Sequence, residues 1–139
     1  MQKDKHAALA ELPAAFDAVM NPGGSSKLNA LVWSEALYDA ALKHCKYMES
    51  TNTFSHANFS TRLNGFGRAS GTGENIAAGR DTAENTIWRY LIDRNTPSRG
   101  HRKSILNHIY THSATAACGH RSWGKASVTL FARNFVPNY

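Results

Sequence analysis

The spacing of apolar residues changes partway along the chain, and that change restricts the fold more than any other feature. Leu37, Ala40, Ala41, His44, Cys45 and Met48 recur at intervals of three and four, which is one stripe of an α-helix facing a core. Ile87, Trp88, Leu91 and Ile92 repeat the pattern. From residue 112 onward the signal differs. Residues 112–119 and 126–136 are strand-forming, with Val128, Thr129, Leu130, Phe131 and Phe135 in the second run. His120-Arg-Ser-Trp-Gly124 between them reads as a hairpin loop. Helices that come before antiparallel strands, rather than alternating with them, point to an α+β or layered α/β/α domain.

Local signals set the element ends. Ser34 is placed to cap a helix, with Glu35 in its first turn, and that helix should stop near Ser50-Thr51-Asn52. Asp81-Thr-Ala-Glu84 resembles a capping box, and Asn95-Thr-Pro97 ends the helix it starts. Residues 4–20 are rich in Ala and Leu and read as helical, with Pro13 opening a second helix or kinking the first. Residues 21–26 are expected to be a turn or loop. Residues 52–75 are rich in Gly, Ser, Thr and Asn and are expected to hold His56 and Glu74 on irregular backbone. A helical turn is expected around residues 60–64 and a short strand over 75–78. There is no internal repeat. One domain over 1–139 is expected, with 1–27 as its helical lead-in and loop.

The chain has 139 residues, 42% of them apolar, enough for a core and too many for a disordered segment. No apolar run approaches the length of a membrane span. The start lacks the apolar stretch and cleavage site of an export signal, so the protein either stays inside the cell or has had its signal removed. The net charge of +6 favours anionic partners such as cell-wall polymers, anionic lipid or nucleic acid. Arg94, Arg99, Arg102 and Lys103 cluster, as a solvated basic surface would. No nucleic-acid-binding motif accompanies them, and basic and aromatic residues do not interleave on one face, so no nucleic-acid partner is expected. Cys45 and Cys118 allow at most one internal bridge. Sequence leaves both the bridge and two buried thiols open.

Three groups carry the candidate chemistry. His56 lies in Phe54-Ser-His56, Glu74 in Gly73-Glu-Asn-Ile-Ala77, and His101 in the stretch from Pro97 to Asn107. Two imidazoles and a carboxylate are the minimum for a zinc site with an open position. Without metal they are cleft residues hydrogen-bonded to backbone or to one another, and Glu74 then accepts backbone N–H groups and orders the loop before it. His44, on an apolar stripe, reads as a satisfied core histidine. His101, His108 and His112 form a weaker zinc alternative. Serines beside His56 and His101 point away from them on an extended chain, no nucleophile elbow is present, and Gly71-Thr-Gly73 lacks the lysine of a phosphate loop.

The ordered set resembles a known family. It comprises Leu31-Val-Trp33 before a helix with Ala41 and His44, then Phe54-Ser-His56, Gly73-Glu-Asn-Ile76 and Trp88. Gly100-His-Arg102 with Ile105-Leu106 follows, and a hairpin with Cys118-Gly119 closes the set. Together these are similar to the CAP superfamily, also called the SCP domain, over about residues 28–136. Ser98-Arg-Gly-His-Arg102 is most like the short microbial members. The resemblance implies a three-layer α/β/α sandwich with a small antiparallel sheet. It also implies a cleft of two histidines and two acids, carried over to His56, Glu74 and His101. The second acid is expected three residues after Trp88, where this chain has Leu91, and Asp93 points elsewhere on an ideal helix.

The expected function is a monomeric, secreted or envelope binding module. Its ligands would be a divalent metal such as zinc, at low occupancy, and a lipid, cell-surface or protein partner. Arg99 and Arg102 are expected near the cleft. The alternative is a zinc-dependent hydrolase with Glu74 as general base.

Overall fold

The computed structural model describes residues 30–139, together with residues 10, 13–15, 17, 18 and 28. Of the expected N-terminal helices, residues 10, 13–15, 17 and 18 are helical. The rest of that expectation, and the turn at 21–26, lie outside the described residues. The elements are β1 (Val32–Trp33), α1 (Glu35–Thr51), α2 (Phe59–Arg62), a 3-10 turn (Leu63–Gly65), β2 (Gly67–Arg68) and β3 (Gly71–Ala78), then α3 (Ala83–Ile92), α4 (Gly100–Ile105), β4 (His112–His120), β5 (Gly124–Arg133) and β6 (Val136–Pro137). They fall into two compact units. One comprises Ala30–Asp81 and Ile109–Tyr139; the other comprises Thr82–His108 with the described residues before 30.

The first unit is a four-stranded sheet in the order β1-β4-β5-β3, with α1 against one face. β4 and β5 are an antiparallel hairpin closing at His120 opposite Gly124, and β3 runs antiparallel to β5 from Gly71 opposite Arg133 to Ala78 opposite Ala126. β1 pairs with β4 in parallel, Val32 beside His112, so the sheet is not wholly antiparallel. The long stretch of chain between these two strands allows that pairing, which a tight turn would forbid. β2 and β6 form a second, two-stranded antiparallel sheet.

Ser34 caps α1, and the helix ends where Asn52 turns left-handed at φ 52°. Its expected stripe is the buried one. Ala36, Leu37, Ala40, Ala41, His44, Cys45 and Met48 face Ala114, Ala116, Ala126, Val128, Leu130 and Ala132, every second residue of β4 and β5. Leu37, Met48, Val128 and Leu130 are fully enclosed, each adding about 1.5–3 kcal/mol of transfer free energy. The cysteines, left open by sequence, form a disulfide with a Cα–Cα distance of 5.9 Å that ties α1 to β4.

Glu74 is not on irregular backbone. The strand expected from residue 75 begins at Gly71, because β5 is long enough to pair with it as far as Arg133. Glycines at 71 and 73 hide this strand in the sequence. Gly73 is required there: a Cβ would lie 2.4 Å from the Tyr110 hydroxyl, which bonds the Thr72 carbonyl. The helical turn expected around residues 60–64 is present as α2 and the 3-10 turn.

In the second unit, Thr82 rather than Asp81 caps α3, its hydroxyl accepting from the Asn85 amide at 3.1 Å. The buried residue of α3 is Tyr90, whereas Ile87 and Trp88 of the expected stripe are exposed. Tyr90 is drawn inward because it stacks on His101, ring centroids 5.3 Å apart.

Candidate functional site: two imidazoles held by buried carboxylates

The sheet register sets the first group. Glu74 stands opposite Leu130, which stands opposite Ala114, so its side chain lies on the face covered by α1. It is 1% exposed. A bare carboxylate there would be costly, and two partners relieve the cost. Arg62, from the end of α2, makes a two-pronged contact: Nη1 donates to Oε2 at 2.6 Å and Nη2 to Oε1 at 2.7 Å. Its Nε donates to the Ala57 carbonyl at 2.9 Å, which fixes the guanidinium plane. His56 Nδ1 lies 2.6 Å from Glu74 Oε1.

His44 holds the loop that carries His56. It is buried on α1, and its Nε2 donates to the Ser55 carbonyl at 2.7 Å, as expected of a satisfied core histidine. Desolvation pulls its pKa below the ordinary 6.5, against the Ser55 bond, which raises it. At Glu74 burial pushes the carboxyl upward, but the bonds from His56 and Arg62 and the Arg62 charge outweigh it, leaving the pKa below the ordinary 4.5.

An ionised carboxylate only accepts, so the His56 proton facing it sits on Nδ1. In the neutral ring the lone pair is then on Nε2, in a side chain that is 52% exposed. Both Glu74 oxygens are taken, and a guanidinium lies against them. The carboxylate therefore suits holding the ring rather than ligating a cation or accepting a proton from water.

The second group is built differently. Asp93 follows α3 with φ 47°, in the left-handed region, and is buried. Having left the helix path, its carboxylate reaches α4. Oδ2 accepts from the His101 and Arg102 amides at 2.9 and 3.2 Å, and Oδ1 lies 2.8 Å from His101 Nδ1. Thr96 Oγ1 is a longer neighbour of the same nitrogen at 3.4 Å. His101 is thus held, like His56, by a carboxylate at Nδ1. Asp93 does not point elsewhere: the ideal-helix expectation fails because residue 93 is no longer helical.

Arg102 is buried rather than part of a surface basic cluster. Its Nε and Nη2 donate to the Leu91 and Ile92 carbonyls, satisfying the open end of α3. Leu91, at the position of the expected second acid, contributes that carbonyl. His112 opens β4 and pairs with Thr111 Oγ1 at 2.7 Å, so no helix face presents it with His108.

Sequence reasoning missed Arg62 and the role of Asp93. A buried strand glutamate needs a cation, and Arg62 in a helical turn was the available one. The stop signal at residues 95–97 marked Asp93 as a helix-ending residue. Among the described residues, no three His, Cys, Asp or Glu side chains gather in a group that could hold a metal ion. No helix of the described residues is long and apolar enough to cross a membrane.

Comparison with known proteins gives the family. The model of CAP, the cysteine-rich secretory protein family, matches residues 23–136. Among solved structures, an extracellular protein containing an SCP domain from Bacillus anthracis strain Ames is 30% identical with a TM-score of 0.60. The match covers 77% of this chain and 35% of that one, so this chain spans about a third of that protein. An outer surface protein of Borrelia burgdorferi has the same fold at 18% identity, with a TM-score of 0.62 and 93% of each chain covered. No curated protein matches. With the family model matching most of its length, and α1, the hairpin and both His56 and His101 inside that match, the chain belongs to the CAP family of cysteine-rich secretory proteins.

Proposed function

We propose that this CAP domain is a binding and interaction module of a secreted or envelope protein, not a hydrolase. Its ligands are a divalent metal at His56 and at His101, and a lipid, cell-surface or protein partner. The observation that supports it most is the Glu74 carboxylate, saturated by Arg62 and fixing the His56 ring through Nδ1. A metal-binding histidine commonly has a carboxylate behind it in this way, which orients the ring and raises its basicity. Asp93 gives His101 the same support. Zinc bound through such nitrogens would supply an open coordination position to an anionic or carbonyl group of a partner.

Export is supported by the Cys45–Cys118 bridge, which needs an oxidising compartment, and by the extracellular Bacillus anthracis relative. Cell fractionation with thiol labelling tests it: the bridged form belongs outside the cytoplasm, and a reduced cytoplasmic pool would refute export.

Zinc calorimetry on the purified domain tests the metal reading. His56→Ala and His101→Ala should each weaken zinc binding, and Glu74→Gln should weaken it at His56 by about 10–100-fold. Zinc affinity unchanged in both histidine variants would end this reading. The hydrolase alternative predicts peptide hydrolysis abolished by Glu74→Gln. It is disfavoured because a carboxylate held below its ordinary pKa by a guanidinium is a weak base.

A further inference from the structure

One end of the first unit carries a basic and aromatic tip that the two imidazole groups do not use. Residues 121–123 form the tip between β4 and β5. Trp123 is 57% exposed there, and Arg121 beside it is exposed as well. Lys125 lies two residues on, its Nζ 3.5 Å from the Asp81 carbonyl. Arg80, exposed after the end of β3, lies across the tip: a Cβ on Gly124 would meet its Nε at 2.4 Å. Gly124, at φ 80°, leaves the space that Arg80 occupies.

The tip is held from below. His120 Nε2 donates to the Thr53 carbonyl at 2.8 Å, Ser122 Oγ to Asn52 Oδ1 at 3.0 Å, and Arg121 Nη2 to the Ser50 carbonyl at 3.3 Å. Two residues before His120, Cys118 is bridged to α1. The indole is therefore displayed on a fixed support and needs no ordering on contact. The field around it is positive. All ten acidic residues of the chain lie at or before Asp93, so the hairpin has none. Of the acids on adjoining segments, Glu49 is paired with Lys46 at 2.8 Å, and Asp81 meets Lys125 through its backbone carbonyl.

We propose that this tip docks the domain on an anionic lipid bilayer, with Trp123 entering the interface and Arg80, Arg121 and Lys125 lying against the headgroups. An indole favours the boundary between headgroups and acyl chains, and each basic side chain near an anionic leaflet adds affinity. A single aromatic residue on a convex tip does not make the stacking track that single-stranded nucleic acid uses. The inference is independent of the metal reading.

Sedimentation with vesicles tests it. The domain should sediment with phosphatidylcholine vesicles containing phosphatidylglycerol and not with phosphatidylcholine alone, and salt should release it. Arg80→Gln, Arg121→Gln and Lys125→Gln should each weaken binding about fivefold, and Trp123→Ala about tenfold. Brominated lipid should quench tryptophan fluorescence in the unaltered protein and not in Trp123→Phe. Unchanged urea midpoints show that the variants fold. The proposal fails if the domain does not sediment, if it binds neutral vesicles equally, or if the Trp123 variants behave as the parent. It also fails if a duplex DNA fragment is bound as tightly as the vesicles, which would leave general charge attraction alone.

Discussion

Arg62→Met removes the guanidinium from the Glu74 carboxylate while keeping an unbranched stem to pack on Phe59, whose ring centroid lies 5.5 Å from the Arg62 guanidinium carbon. The variant loses two charge-assisted bonds to Glu74 and the bond to the Ala57 carbonyl. The carboxylate, 1% exposed in the parent, keeps only His56. Breaking a buried pair from one side costs about 3–5 kcal/mol. Arg62 is 13% exposed and His56 remains a donor, so the lower end applies, about 3 kcal/mol at pH 7. Urea unfolding with the disulfide intact measures it. The cost should also depend on pH. In the parent the Glu74 pKa is lowered, so this contribution is complete above 4.5 and is lost as pH falls through the folded-state value. In the variant burial dominates and the pKa rises, so acid neutralises the stranded charge and the difference between the proteins shrinks. Adding Glu74→Gln to Arg62→Met should restore more than half of the loss at pH 7 and little at acid pH. A cost below about 1 kcal/mol at pH 7, or one equal at both pH values, would refute the claim that the guanidinium keeps this carboxylate ionised.

Two further tests bear on the fold of the first unit. The lowered His44 pKa makes its neutral form the folded one, so its contribution is complete above 6.5 and falls as pH drops through the folded-state value. The Tm should therefore decline in an upper step below 6.5, separate from the Glu74 step below 4.5. His44→Gln should remove the upper step, and a Tm unchanged between neutral pH and the Glu74 step would contradict the burial argument. Replacing both cysteines by Ala frees a closure with sequence separation 73, worth about 4 kcal/mol on the chain-entropy model. The urea midpoint should fall accordingly, and an unmoved midpoint would show that the bridge adds nothing.

What sequence revealed and what it hid divide along physical lines. The α1 stripe and its Ser34 cap are local patterns that appear as expected, and the β4–β5 hairpin is present too, though its second strand runs over Gly124–Arg133 rather than 126–136 and leaves Phe135 outside. The capping box slipped by one position because Asp81 and Thr82 are both good caps and only packing chooses between them. The α3 stripe failed for a related reason: periodicity marks apolar residues, while Tyr90 is fixed inside by a stacking partner eleven residues away. β3 was half hidden because Gly73 answers to Tyr110, which is distant in sequence. His56, Glu74 and His101 were legible as chemistry. Their partners were not, since Arg62 meets Glu74 only through the folding of α2 against a strand, and Asp93 meets His101 only through one left-handed residue.

That last pair of contacts bears most directly on function. A buried carboxylate beside an imidazole can remain ionised only if something else supplies positive potential. At Glu74 a guanidinium does so; Asp93 is held differently, its Oδ2 atom taking two amides from the first turn of α4. The two supports share no residues and arise in different units, yet each leaves the facing ring nitrogen protonated. A carboxylate acting as general base would need the opposite arrangement, an oxygen to spare and no cation upon it. Asp93→Asn separates the two readings at His101. The amide can still face the ring and accept its proton, so a structural role alone would leave the imidazole tautomer ratio unchanged in nitrogen NMR. If the carboxylate charge fixes the tautomer, the Nε2-protonated form should appear in the variant, and a ratio identical to the parent would show that the charge does not set it.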